Sequence, residues 1–250
     1  MGVRSRGGEP VMKAVVTGAS RGFGRAVAAA LVAEGYEVVG IARDPEVLRE
    51  AAEAVGFTAV VGDATGEGLA EEVIGRHEPR LIVLNAGAMP HLAPIHEQTW
   101  ETFERNWQAD TRHAFTWVRA ALREPLAPGS TVIAMSSGAV QAGSPLSGGY
   151  AAANAAIQYL ARYATREAGR ARLGIRFVTV FPQLTPHTRL GSTAVDAYAA
   201  AQGIDRETFV ANAEPVLTPD LLAKAVAGLA ADPDAAGEYR VGGDGVRSLG

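Results

Sequence analysis

The sequence predicts one α/β domain, a doubly wound parallel sheet of about seven strands with helices on both faces. Short β-rich runs alternate with longer alanine-rich helical patterns, as expected for successive βαβ units. The run LIVL at 81–84 is apolar throughout, which is typical of a strand buried on both faces. A chain of 250 residues without repeats or linkers can bury one such core, over residues 12–250.

The predicted elements alternate in chain order. Strands are predicted where β-branched residues cluster, at residues 12–18, 36–42, 57–62, 80–87, 130–137, 175–182 and, more weakly, 237–243. Helical periodicity favours helices at residues 22–34, 45–54, 66–76, 99–123, 150–170 and 219–231. Gly35 stands where a C-cap is expected, and Pro219 with Asp220 opens the last helix.

Two segments depart from this alternation. Residues 1–11 are basic and glycine-rich without an apolar stretch, so we expect a disordered leader and not a secretory signal. Residues 183–216 contain no strand pattern, and they include Pro186, Pro215 and a short helical pattern. A long insertion at this point of such a domain is usually a lid or binding loop.

Composition excludes several classes of function. A net charge of −4 leaves no basic footprint for nucleic acid or membrane, and no apolar run approaches the length that spans a bilayer. The chain has no cysteine, which excludes disulfides and thiolate chemistry and suits a reducing cytoplasm. Its five histidines form no ligand pattern, so we expect no metal.

A glycine-rich turn, TGASRGFGRAV, follows the first strand and opens the first helix. Gly18, Gly22 and Gly24 allow a sharp turn and close approach of a pyrophosphate, whose charge is favoured at a helix N-terminus. A tight turn without a ligand is the alternative, but the flanking strand and helix favour a Rossmann-like dinucleotide site. The other residues of the turn assigned to this site are Thr17, Ser20, Arg21 and Phe23.

The end of the second strand indicates which nucleotide is bound. An acidic residue there would bind the ribose 2′-hydroxyl of NAD, whereas an arginine accommodates the 2′-phosphate of NADP. The chain has Arg43 at this point and Arg21 nearby, which favours NADP(H), although Arg43 could instead pair with Asp44 or Glu46. Asp63, after the third strand, could accept a hydrogen bond from the adenine amino group or cap a helix.

Together with three further motifs, this turn resembles the short-chain dehydrogenase/reductase family over residues 12–245. The motifs are Asn85-Ala86-Gly87 after the fourth strand, Ser137 after the fifth, and Tyr150 thirteen residues later. The resemblance implies hydride transfer between a nicotinamide and a small carbonyl or alcohol substrate. It implies that Tyr150 is the general acid/base, that Ser137 binds the substrate oxygen, and that the Asn85 motif lines the cofactor pocket.

The resemblance continues after the sixth strand with changes. Pro182 matches the proline of the family's proline-glycine turn beside the nicotinamide, but Gln183 replaces the glycine. The threonine that often follows is either Thr185 or Thr188. By the same resemblance, residues 183–216 are the substrate loop, and the helices 99–123 and 150–170 pair across subunits in a dimer or tetramer. The candidate substrate contacts in the loop are Gln183, Leu184 and His187.

Asn154 is the first departure within the catalytic set. In the family, a lysine four residues after the tyrosine holds the nicotinamide ribose and lowers the tyrosine pKa. Positions 150 and 154 share one helix face, but Asn154 carries no charge. An unassisted Tyr150 keeps a pKa of about 10, so it can donate a proton in carbonyl reduction but is a poor base for alcohol oxidation. Asn154 could still bind a ribose hydroxyl.

Asp110 is the second departure. The family helix carries an asparagine five residues before a phenylalanine, and counting back from Phe115 gives Asp110, with Asn106 out of that register. Asp110 could accept a hydrogen bond from Asn154 and raise the pKa of the catalytic tyrosine further. The alternative is a partly solvated helix residue near His113, which could itself carry a proton.

Three functions fit these residues. An NADPH-dependent carbonyl reductase, weakened or biased toward reduction, is the leading hypothesis. A non-redox isomerase, dehydratase or cyclase would use a neutral Tyr150 as a proton donor. A catalytically silent NADP-binding regulatory protein would bind the cofactor without turnover, and fold alone does not choose among the three.

Overall fold

Eight strands form a single sheet in this computed structural model, which describes residues 11–250. The strands are β1 Lys13–Thr17, β2 Glu37–Ala42, β3 Thr58–Val61, β4 Leu81–Leu84, β5 Thr131–Met135, β6 Arg176–Pro182, β7 Gly237–Gly242 and β8 Gly245–Ser248. Their order is β3-β2-β1-β4-β5-β6-β7-β8, and only β8 runs antiparallel to its neighbour. The predicted α/β fold is confirmed, with one strand more than expected. The predicted leader, except residue 11, lies outside the described residues.

Helices cover both faces of the sheet, as the doubly wound arrangement requires. They are α1 Gly22–Ala33, α2 Pro45–Val55, α3 Leu69–His77, α4 Trp100–Asn106, α5 Arg112–Arg123, α6 Ala139–Ala142, α7 Gly148–Arg170, α8 Arg189–Gln202, α9 Arg206–Asn212 and α10 Pro219–Ala231. A π-helical turn, Trp107–Thr111, joins α4 to α5, so the helix predicted at 99–123 is interrupted. The segment 183–216 is largely helical, because it contains α8 and α9.

The two faces of β1 bury different cores. Ala14 and Val16 pack with α1 and α10, whereas Val15 faces the opposite side and packs with α5, including Trp117. This alternation follows from the two-residue period of a strand, and all three residues are fully buried. The strand order reverses between β1 and β4, and in such sheets ligands bind at the carboxyl ends beside that reversal.

Candidate active site

The glycine turn after β1 is shaped for close approach of a ligand. Gly18 and Gly22 adopt positive φ angles of 70° and 54°, which only glycine tolerates readily. A Cβ on Gly24 would lie 2.2 Å from the Gly18 carbonyl oxygen, so α1 packs directly under the turn. Gly24 therefore supports the turn from beneath, and it does not line the cleft above it.

Thr17 also supports the site and does not line it. Its hydroxyl accepts hydrogen bonds from the backbone N–H groups of Asn85 (2.9 Å) and Ala86 (3.1 Å). The Asn85 side chain donates to the Thr17 carbonyl oxygen at 3.0 Å. These bonds fix the end of β4 against the end of β1. The glycine turn and the Asn85-Ala86-Gly87 motif therefore lie side by side at the base of the cleft.

The start of α1 leaves backbone donors free for an anion. Arg21 is the N-cap residue, and no side chain caps the helix there. The uncapped N–H groups and the helix dipole favour a negative charge at this point. We call the glycine turn and the uncapped start of α1, residues 18–24, the cradle. Its free N–H groups and glycine backbone fit the pyrophosphate of a dinucleotide.

Two exposed arginines stand at the same end of the cleft. Arg21 and Arg43 both line it, and neither forms an ion pair with any residue of 11–250. Asp44, the alternative partner of Arg43, instead caps α2 by accepting from the N–H groups of Glu46 and Val47 at 3.2 Å. Both guanidinium groups are thus available to a phosphate.

Asp63 does not cap a helix, which corrects one of the two alternatives for it. The N-cap of α3 is Gly68, and Asp63 Oδ1 accepts from the Thr65 N–H and hydroxyl, each at 2.9 Å. The Thr65 hydrogen bonds, with a smaller contribution from the charge of Arg43, lower the pKa of Asp63. Asp63 is therefore an ionised acceptor at the edge of the cleft.

One cleft of about 1560 Å³ unites most of the predicted site residues at the carboxyl edge of the sheet. It is large enough for a dinucleotide with a small substrate. The predicted residues that line it are Gly18, Ser20, Arg21, Gly22, Phe23, Arg43, Asp63, Asn85, Ala86, Gly87, Asp110, Ser137, Tyr150, Asn154, Pro182, Gln183, Leu184, Thr185 and His187.

Tyr150 and Ser137 meet in this cleft. Burial raises the pKa of Tyr150 to about 12, and the nearby Asp110 and Tyr198 add to the increase. The Ser137 hydroxyl acts in the opposite direction on the pKa of the phenol but does not reverse the increase. Tyr150 is therefore protonated at neutral pH, as expected for a chain without the lysine.

The Asn154 side chain points back along its own helix. Its Nδ2 donates to the Tyr150 carbonyl oxygen at 3.0 Å, and the residue is only 3% exposed. The Ser136 hydroxyl donates to the Asn154 carbonyl oxygen at 3.0 Å and holds α7 to the end of β5. The predicted hydrogen bond from Asn154 to Asp110 is not formed, because the Asn154 amide is directed at the backbone.

Asp110 belongs to a closed network with Asn106 and Ala88. Its Oδ1 accepts from the Ala88 N–H at 2.7 Å and its Oδ2 from Asn106 Nδ2 at 2.9 Å. Asn106 Nδ2 also donates to the Ala88 carbonyl oxygen at 3.0 Å. Burial raises the pKa of Asp110 to about 7 despite these bonds. Asp110 is thus fully buried, and the expectation of a partly solvated residue was wrong.

His113 lies one turn beyond Asp110 and is also buried. Burial lowers its pKa to about 4, although a hydrogen bond to the Ala86 carbonyl oxygen and the charge of Asp63 oppose the shift. Its ring lies edge-on to Trp117, whose Nε1 donates to the Ala64 carbonyl oxygen at 3.0 Å. His113 is neutral at pH 7, so it does not store a proton for the reaction.

The two candidate threonines of the 183–216 segment form hydrogen bonds within the protein. The Thr185 hydroxyl donates to the Leu217 carbonyl oxygen and accepts from the His187 N–H at 3.1 Å. Thr188 caps α8 by accepting from the Gly191 N–H at 3.1 Å. The loop is therefore anchored at its start, and its exposed Leu184 and His187 face the cleft.

Two residues of the cleft are not indicated by the sequence. Ser144 and Ser147 contact the hydroxyl of Tyr198, which lies on α8 within the 183–216 segment. They stand in a turn without helical or strand periodicity, and their partner is more than fifty positions away along the chain. Nothing local in the sequence indicates this contact.

Comparison with known proteins identifies the family. A family model described as short chain dehydrogenase matches residues 12–198. Hydroxynaphthalene reductase arp2 of Aspergillus fumigatus is 34% identical over 168 residues, 63% of this chain and 61% of that protein. L-xylulose reductase of Bos taurus is 27% identical over 177 residues, 70% of this chain and 72% of that protein. This chain thus spans only about three fifths of the Aspergillus relative.

The fold has a close counterpart among solved structures. The crystal structure of levodione reductase superposes with a TM-score of 0.80 over 93% of this chain and 96% of that chain, at 21% identity. At that identity the likeness shows the fold. The chain belongs to the short-chain dehydrogenase family, whose members are oxidoreductases that use a nicotinamide dinucleotide.

The described residues add two further findings. Between residues 11 and 250, none of the helices is sufficiently long and apolar to cross a bilayer. The same residues contain no group of three or more His, Asp or Glu side chains placed to hold a metal ion.

Proposed function

We propose that the chain is an NADP(H)-dependent short-chain oxidoreductase that acts on a small carbonyl or alcohol compound and favours reduction. The observation that carries this proposal is the protonated phenol of Tyr150, placed beside Ser137 in a cleft where position 154 supplies no cation. The preference for the phosphorylated cofactor is supported by Arg21 and Arg43, which line the cleft without ion-pair partners in the described chain.

In the reductive direction, the protein's own residues handle the proton. A bound nicotinamide supplies the hydride. The Ser137 hydroxyl holds the substrate oxygen, and the Tyr150 O–H donates its proton to that oxygen as the alcohol forms. Gly87 and Ala88, held by Asp110, form the adjacent wall of the pocket.

The oxidative direction needs the phenolate of Tyr150. With a pKa of about 12, roughly one molecule in 10⁵ carries that phenolate at pH 7. The family's lysine would raise this fraction, and Asn154 does not. We therefore expect reduction to be much faster than oxidation at neutral pH.

A panel of aldehydes and ketones, with NADPH oxidation as the readout, tests the proposal. We expect turnover with at least one carbonyl, and Tyr150→Phe should lower kcat/KM by about 10²- to 10⁴-fold because the proton donor is lost. Tyr36→Phe, which removes a phenol hydroxyl outside the cleft, should change little. NADPH binding without oxidation by any carbonyl would contradict the proposal and favour a silent regulatory protein.

A second candidate is a non-redox reaction such as isomerisation or dehydration. It is favoured by Asp110, a carboxyl group with a pKa of about 7 in the same cleft as a protonated phenol. A carboxyl group that titrates near neutral pH suits a general base, and a phenol that stays protonated suits a general acid. Substrate turnover that leaves the cofactor unchanged would distinguish this candidate.

Self-association and a cytoplasmic location complete the proposal. Adjacent helices α5 and α7 expose three large side chains, Phe115 (52%), Tyr159 (67%) and Tyr163 (54%). Such an exposed aromatic face favours pairing with a second copy of the chain. The absence of cysteine from the sequence suits the reducing cytoplasm.

A further inference from the structure

Three hydroxyl groups form a closed ring at the substrate end of the cleft. The Tyr198 hydroxyl lies 2.5 Å from Ser144 Oγ and 3.3 Å from Ser147 Oγ. The two serine hydroxyls are also in direct contact with each other. All three residues line the same cleft as Tyr150.

The helix position of Ser147 and the ring stacking of Tyr198 fix the positions of the hydroxyl groups in the ring. Ser147 stands at the N-cap of α7, where a serine hydroxyl usually accepts a hydrogen bond from the helix, yet it makes no such bond. The Tyr198 ring stacks on Phe209 with a centroid distance of 6.4 Å and an interplanar angle of 11°. Packing therefore directs Tyr198 toward the serines. The Ser147 hydroxyl contacts the Tyr198 hydroxyl and does not cap the helix.

Counting donors shows what the ring can bind. Three hydroxyl groups own three O–H donors, and either oxygen can be the donor in each of their three mutual contacts, so the ring can use all three donors. Each serine oxygen has two lone pairs, and with the donors arranged around the ring one lone pair remains on each. No other donor among residues 11–250 bonds to these hydroxyls. Ser144 is half-buried and Ser147 is buried, so the free lone pair of Ser144 is the one that a ligand reaches.

The ring is close to the reacting group. Ser147 lies three residues before Tyr150, and the Tyr198 phenol is near enough to raise the pKa of Tyr150. Ser144, Ser147, Tyr198 and Tyr150 line one cleft, so a ligand group at the ring shares that cleft with the carbonyl that Tyr150 would protonate. The ring has oxygen lone pairs that its mutual contacts do not use, so it favours a substrate O–H.

We infer that Ser144, Ser147 and Tyr198 form a subsite for a substrate hydroxyl group next to the reacting carbonyl. The substrate class is thus a hydroxy ketone or hydroxy aldehyde. This inference rests on the proposed function for the identity of the reacting group, and it adds the second substrate group that the cleft recognises.

A pair of nearly isosteric ketones tests the subsite. The affinities of 2-hydroxyacetophenone and propiophenone, which differ by a hydroxyl in place of a methyl, are measured by calorimetry in the presence and absence of NADP⁺. Neither condition allows hydride transfer to the ketone, so only binding is observed. We expect the hydroxy ketone to bind about fivefold more tightly, the usual worth of one net hydrogen bond.

Matched variants assign the preference to the ring. Ser144→Ala removes the accessible acceptor. Tyr198→Phe keeps the stack on Phe209 but removes the hydroxyl that orients Ser144, so each variant should reduce the preference to about twofold or less. Tyr36→Phe removes a phenol hydroxyl outside the cleft and should retain the full preference. Thermal unfolding shows that each variant is folded.

Each possible binding result either supports or overturns the hydroxyl subsite. A preference that disappears in Tyr198→Phe and Ser144→Ala but not in Tyr36→Phe supports the subsite. Equal binding of the two ketones, no binding of either, or a preference that survives both ring variants would overturn it. NADPH oxidation is measured separately: a ring-dependent preference without any reduction would leave the subsite standing and refute the proposed function.

Discussion

At the scale of single residues, the positive charge that the family pattern places beside the tyrosine is missing at Tyr150. The family places a lysine beside the tyrosine, whereas this chain has the neutral Asn154 and the buried carboxyl group of Asp110. Both changes favour the protonated phenol of Tyr150. The physical consequence is a better proton donor than base.

Restoring the lysine tests how far Asp110 sets this balance. Asn154→Lys alone should raise the rate of alcohol oxidation by less than about tenfold, because an ionised Asp110 would neutralise the new charge. Asn154→Lys combined with Asp110→Asn should gain about 10²-fold or more, the usual worth of general base assistance. Formation of reduced cofactor from a panel of alcohols measures both. A single variant as fast as the double variant would refute the coupling.

The buried carboxyl group also makes stability depend on pH. The pKa of Asp110 rises from 3.8 to about 7 on folding, so the folded state holds a proton that the unfolded state has lost. Its contribution to stability therefore falls as pH rises from about 4 to about 7. Between pH 5 and pH 8 the loss should be on the order of 2–3 kcal/mol, and Asp110→Asn should not show it.

His113 produces the opposite slope, so the comparison must be made between variants. Its pKa falls from 6.5 to about 4 on folding, and its contribution is lost as pH falls through that range. Urea unfolding of wild type and Asp110→Asn at both pH values cancels the His113 effect. A constant difference in free energy between the two proteins would contradict the assignment of Asp110.

Some residues of the site were predictable and their partners were not. Asp110 and Asn154 are visible in the sequence because their spacing from Phe115 and Tyr150 can be counted. Asn106 and Asp110 are four residues apart and so share a helix face, but neither the bond between them nor the π-helical turn that contains Asp110 leaves a mark in hydrophobic periodicity. Side-chain directions there follow from tertiary packing.

At the scale of elements, close packing restricts the glycine turn because there is no room for a side chain at Gly24. A Cβ on Gly24 would also lie 2.5 Å from Asn85 Nδ2, so a larger residue must displace both the turn and β4. The same contact explains why Gly24 belongs to the motif without touching the cleft. Its role is to let α1 approach the sheet.

Substitutions of Gly24 and of a helix glycine without close contacts distinguish the effect of close packing from the effect of alanine on helix stability. Gly24→Ala should destabilise the protein by about 1–3 kcal/mol and weaken NADPH binding at least about tenfold, because the cradle is pushed open. Gly228→Ala is the matched control, since Gly228 is exposed in α10 with nothing within 4 Å of its Cβ position. It should stabilise by roughly 0.5–1 kcal/mol. Unimpaired NADPH binding by Gly24→Ala would argue against the cradle.

The sequence predicted the four-residue strands β3 and β4 but did not place β8, α8 or α9. Strand β8 consists of four exposed residues, so it has no buried face to generate an apolar pattern. Helix α9 has seven residues and no buried side chain, and it is stabilised by its Asp205 cap and by the ion pair between Arg206 and Asp196. Such elements depend on tertiary contacts, which local patterns do not encode.

At the scale of the whole molecule, the exposed aromatic face should hold two chains together. Phe115→Glu places a charge on that face and should convert a dimer or tetramer to a smaller species, because an unpaired charge is costly to bury. Val61→Glu, on the outer strand β3, changes a residue of similar exposure (54%) and should leave the assembly intact. Light scattering after size-exclusion chromatography measures both. A monomeric wild type at micromolar concentration would refute the interface.

The function proposed for this cleft depends most on which dinucleotide the cleft binds. Titration of the purified protein with NADPH and with NADH, followed by nicotinamide fluorescence, tests it directly. Arg43→Gln removes the proposed 2′-phosphate contact, and Arg49→Gln, an exposed arginine of α2 outside the cleft, is its control.

We predict micromolar binding of NADPH, binding of NADH that is weaker by about tenfold or more, and loss of this difference in Arg43→Gln alone. Equal affinity of the wild type for the two cofactors would contradict the role of the arginines. Failure to bind either cofactor would contradict the proposed function itself.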